Sequence, residues 1–71
     1  MTKVGDYLVK KYASKAEISR KTGISKSRLS ELSNNKNTNL KATELYLIAL
    51  ALDVDPMEVL NFICEGIKRA D

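Results

Sequence analysis

Side chains able to carry covalent or metal chemistry are scarce in this sequence, which has no His and a single cysteine, Cys64. No carboxylates cluster outside the helix caps, and no glycine-rich phosphate loop occurs. Acid–base catalysis, nucleophilic attack and metal ligation therefore lack a constellation, and no cofactor or enzyme activity is expected. What remains is recognition chemistry. The stretch Ser25-Lys26-Ser27-Arg28-Leu29-Ser30-Glu31-Leu32 sets short hydroxyls beside long cations. Hydroxyls suit close approach to bases and phosphates, and cations reach base edges or the backbone of a duplex. A helix starting at Ser25 would also present its N-terminus to a phosphate. Glu31 is the exception, because phosphates repel a carboxylate unless it accepts a hydrogen bond, for instance from cytosine N4. Its alternative is an ion pair with Arg28 or with Lys36.

These residues need a helix to carry them and a turn to lift it from the domain. Apolar residues recur at three- and four-residue spacings and no hairpin signal occurs, so the reading is all-helical with about five short helices. The first is expected over about Thr2 to Tyr12, with Val4, Leu8 and Tyr12 inward and Gly5 weakening it slightly. The second starts at Ser14, whose hydroxyl and Glu17 form a capping box, carries Ala16 and Ile18 and ends at Gly23. The third is capped by Ser25, stapled by Ile24 against Leu29, and seated by Leu29 and Leu32. Residues 33 to 39 are rich in turn formers and read as a surface loop. The fourth, about Leu40 to Leu52 with Asn39 as cap, is the most hydrophobic and is taken as the centre of the core. Asp55-Pro56 opens the fifth, which Gly66 closes.

Seventy-one residues allow one domain, 1–71, with a modest core. No apolar run approaches the ~18 to 20 residues of a membrane span, and the first eleven residues lack the pattern of a secretory signal. A cytoplasmic protein is expected, with Cys64 a buried structural thiol. Charge is segregated: residues 10 to 41 hold nine bases and two acids, whereas 42 to 67 hold five acids and no base. Such separation predicts a face that meets a polyanion, against the plainer alternative of solvated helix faces.

The chain resembles the Cro/CI-type (XRE-like) helix-turn-helix domains of phage repressors and their bacterial relatives. The resemblance is carried, in order, by Lys15-Ala-Glu-Ile-Ser-Arg-Lys-Thr-Gly, Ile24-Ser-Lys-Ser-Arg-Leu-Ser-Glu-Leu, Asn34-Asn-Lys-Asn-Thr-Asn-Leu and Tyr46-Leu-Ile-Ala-Leu-Ala-Leu-Asp-Val-Asp-Pro. It implies a compact five-helix, lambda-repressor-like all-α fold that binds double-stranded DNA. It assigns base contacts to Lys26, Ser27, Glu31 and Asn37, and base or backbone contacts to Arg28 and Ser30. Lys15, Ser25, Asn34 and Lys36 fall to the backbone. Lys15 stands where a glutamine is usual, so a simple phosphate contact replaces the usual bracing role. Ser19 and Thr22 stand in place of apolar residues, and their hydroxyls are expected to bond back to the helix backbone.

The expected function is a transcriptional regulator, a repressor on a palindromic operator bound as a homodimer. The alternative is a protein-interaction module or antitoxin component that keeps the fold. No small-molecule effector or membrane is implied. Met57, Val59, Leu60, Phe62, Ile63 and Ile67 exceed what one face of a short helix normally buries, and Phe62, Ile63 and Ile67 especially read either as a dimer interface or as completing a small core.

Overall fold

Helices in so short a chain need their first-turn amides satisfied locally, and side chains do this at four of five starts. The computed structural model describes residues 1–71 and contains α1 (Lys3–Lys10), α2 (Lys15–Thr22), α3 (Lys26–Asn34), α4 (Ala42–Leu52) and α5 (Pro56–Ile63), with no strand. Thr2, Ser14, Ser25 and Asp55 accept hydrogen bonds from the amides of Gly5, Glu17, Arg28 and Met57. The capping box at Ser14 is only half formed, because the Glu17 carboxylate pairs with Arg20 at 2.7 Å instead of returning to the cap amide. No helix is long and apolar enough to cross a membrane.

Two apolar clusters hold the helices together. Val4, Leu8, Ile18, Leu29, Leu32 and Ile48 form the first, and Tyr7, Ala49 and Val59 the second, with Leu52 and Ile63 packed against both. Helix α1 packs on α3 and α5, α2 on α3 and α4, and α4 on α5. The fourth helix is thus a shared wall rather than a fully enclosed centre: Ile48 and Ala49 are buried, but Tyr46 and Leu50 are more than half exposed.

Four expectations are corrected at the level of single residues. Tyr12 is 96% exposed and adopts a left-handed φ of +54°, because α1 ends at Lys10 and the chain must reverse before Ser14. Tyr7 is the buried aromatic of that helix, its ring edge-on to Phe62 at 5.2 Å and its hydroxyl donating to Glu58. Helix α4 begins at Ala42, two residues later than its apolar pattern indicates, since Leu40 packs against the core from an extended segment. Cys64 is exposed, beyond the last turn of α5. Ser33, placed by composition in a loop, is buried in the last turn of α3 and donates to the Leu29 carbonyl at 2.8 Å.

Gly5 has a reason beyond helix propensity. A Cβ there would overlap the Ser33 carbonyl oxygen, so glycine lets α1 meet the end of α3 backbone to backbone. At that contact the Thr2 amide donates to Ser33 O at 2.9 Å, and the Thr2 hydroxyl lies 2.6 Å from Leu32 O. Thr2 and Gly5 thus tie down the C-terminal carbonyls of α3, the helix that carries the candidate site.

Candidate nucleic-acid interface

The turn between α2 and α3 is built by local chemistry. Gly23 takes φ +81°, the left-handed geometry that ends a helix, and its amide closes on Ser19 O. Thr22 bonds back as expected, donating its hydroxyl to Ile18 O at 2.7 Å and accepting from Ile24 N–H at 3.0 Å. Ser19 makes no such bond. Ile24 packs against the first cluster, to which Leu29 belongs, and Ser25 caps α3. Leu29 and Leu32, both essentially inaccessible, then fix which face of α3 turns inward.

The opposite face carries Ser27 and Glu31, with Ser30 half-buried at its margin, and Lys26 opens the helix one turn before Leu29; Lys26, Ser27 and Glu31 are all exposed. Four ion pairs exist in the molecule: Lys11–Glu58, Arg20–Glu17, Arg28–Glu44 and Arg69–Asp71. Glu31 therefore pairs with neither Arg28 nor Lys36, and Lys15, Lys26 and Lys36 have no carboxylate partner. Lys15 opens α2 and is half-buried. Asn34, on the last turn of α3, donates to Ser30 O at 3.1 Å. Asn37 and Lys36 are exposed in the following loop, which is shaped by Asn35, whose side-chain oxygen accepts from Asn37 N–H at 2.9 Å.

Arg28, expected among the DNA contacts, is turned the other way. Its Nε donates to Glu44 Oε2 at 2.8 Å, and its Nη2 donates to Glu44 Oε1 and to the Asn39 carbonyl, each at 2.9 Å. Glu44 also accepts the Lys41 amide at 3.0 Å and so closes the first turn of α4. The Arg28 hydrogen bonds, then the amide bond, hold the Glu44 carboxyl below the usual carboxylate range against the opposing effect of burial. Composition concealed this partner: Glu44 follows Lys41 by three residues, the spacing of a capping carboxylate, but Asn39 reads as the better cap.

The apolar residues proposed for an interface separate. Phe62 is engaged within the chain by Tyr7 and by the ammonium groups of Lys10 and Lys3, at 5.1 and 5.7 Å from its ring centroid. Ile63 packs on both clusters, whereas Ile67 is 75% exposed. Met57 and Leu60 on α5 and Tyr46 and Leu50 on α4 add further exposed apolar surface.

A short helix, a glycine-terminated turn and a second helix seated by two leucines, with a polar outer face, define the helix-turn-helix class of DNA-binding domain. The family model for the Cro/C1-type HTH DNA-binding domain matches residues 6–65, and the chain belongs to that family. It is accordingly a DNA-binding regulatory domain, of a family that is not typically enzymatic. No curated protein and no solved structure matches it.

Proposed function

We propose that this chain is a sequence-specific transcriptional repressor that binds a near-palindromic operator as a homodimer, its two α3 helices ~34 Å apart in successive major grooves. The observation that carries this reading is the outer face of α3, where Lys26 and Glu31 project beside Ser27 with no partner inside the protein. In this reading Lys26, Ser27 and Glu31 read base edges, Asn37 adds a contact from the loop, and Ser30 reaches base or backbone. Lys15, Ser25, Asn34 and Lys36 hold the phosphates. Such a division fits the general rule that backbone contacts set register while base-edge contacts carry sequence information.

Dimerisation is assigned to the exposed apolar side of α5 and the segment just after it, with Ile67, Met57 and Leu60 outermost and Phe62 and Ile63 supporting them from behind. The site of action is the cytoplasm, and control comes from the concentration or turnover of the protein or from a partner protein. Selection of bound sequences from a random duplex pool, followed by titration at two salt concentrations, tests the whole reading. A palindromic consensus and an affinity falling steeply with salt are expected. An unpaired single half-site would remove the dimer, and absence of binding at low salt would remove the function and leave the protein-interaction alternative.

A further inference from the structure

We infer that Arg28 is a positioning residue rather than a reader of DNA: its guanidinium, locked onto Glu44 and Asn39, sets the pose of α3 and of the phosphate-facing loop together. This deepens the reading proposed above and rests on it only for the DNA-binding half of the test.

The geometry makes the case. Although side chains of α3 and α4 meet in the first cluster, no Cα of α3 comes within 8 Å of one in α4, so no direct backbone packing fixes their relation. Arg28 spans that gap. One guanidinium fastens the middle of α3, the Asn39 carbonyl in the loop and the carboxylate that closes the start of α4. The fork-to-fork geometry is the strong, directional form of an ion pair. Both side chains are largely withdrawn from solvent, at 29% and 12% exposed, so water competes weakly for either group. Using Arg28 on a base would strip Glu44 of its cation in a mostly buried place, a state far less stable than the pair. The loop fastened at Asn39 carries Lys36 and Asn37, so the phosphate contacts and the base contacts share one anchor.

The consequences differ from those of a base-reading arginine. Arg28→Gln and Glu44→Gln should each lower the folding equilibrium constant by roughly tenfold or more, and the double variant should cost little more than the worse single one. That double-mutant cycle is read by urea unfolding without DNA, so it stands whether or not the proposed operator binding is correct. On DNA, Arg28→Lys retains the charge without the fork and serves as the better-folded variant. It should weaken all sequences by a similar factor and leave the sequence selected from a random pool unchanged, while Glu44→Gln should do the same. Additive losses in the unfolding cycle would overturn the inference. So would a consensus that loses one base preference in Arg28→Lys but not in Glu44→Gln.

Discussion

Lys26 and Lys36 carry the same charge, yet their positions assign them different jobs. Lys26 is exposed in the first turn of α3, whereas Lys36 stands on the loop beyond the helix. Lys26→Ala should therefore cost roughly 1 to 3 kcal/mol on the preferred site and relax its sequence preference. Lys36→Ala should weaken every sequence alike and reduce the salt dependence by about one phosphate contact. Equal losses on specific and random duplexes for both variants would refute the division. Glu44 governs a second residue-scale property. Its folded-state carboxyl titrates below the ordinary value of 4.5, chiefly through Arg28, so the unfolded chain takes up the proton first on acidification. The stability it contributes is present above that ordinary value and is lost as pH falls through the lower folded one. Glu58, held down by the Tyr7 hydroxyl and then by Lys11, acts in the same direction. Urea midpoints measured between pH 7 and pH 3 should drop across the acid range. The drop should be shallower in Glu44→Gln, and an unchanged acid limb would show that Glu44 is not the group responsible.

At the scale of the helix, two backbone positions carry more consequence than their side chains. Gly5→Ala forces a methyl group into the Ser33 carbonyl and pries α1 from the end of α3, a loss of roughly 1 to 3 kcal/mol in thermal or urea unfolding. The same change in a freely exposed helix would instead stabilise it. Asp53 is the reverse case. It closes α4 at φ +59° and places a carboxylate at the negative end of that helix, so strain and dipole both oppose it. Asp53→Gly is expected to stabilise the protein by about 0.5 to 1 kcal/mol, read as a melting temperature raised by a few degrees. A lower melting temperature would mean that the aspartate has a compensating partner.

For the molecule as a whole, the two halves of the charge distribution fall on different elements: α4 and α5 hold acids and no base, and all the cations but Lys68 and Arg69 of the C-terminal tail lie between Lys3 and Lys41. A domain so divided approaches a polyanion with its basic side and is repelled on the other. The acidic half also bears the exposed apolar residues Met57, Leu60 and Ile67, and Leu60 lines, with Leu45 and Ile63, a groove of about 440 Å³ between α4 and α5. If that side joins two copies, Leu60→Lys should shift the sedimentation equilibrium toward monomer and weaken the palindromic operator far more than an isolated half-site. An unchanged association state would place the interface elsewhere.

Short-range rules carried much of this protein. The caps at Ser14, Ser25 and Asp55, the left-handed stop at Gly23 and the leucines that seat α3 depend on neighbours within four residues, and their chemistry is legible in the chain itself. So are the outward positions of Ser27 and Glu31, which follow from the helical period once Leu29 and Leu32 are inward. Only the tertiary structure decided what becomes of groups whose partners are distant in sequence. Glu44 lies sixteen residues from Arg28, Ser33 thirty-one from Thr2, and Glu58 fifty-one from Tyr7. Burial and hydrogen-bond direction depend on such partners, and no local pattern encodes them. That is why the arginine of α3, which in sequence looks like one more cation for DNA, is found in the fold bound to Glu44 and to the Asn39 carbonyl.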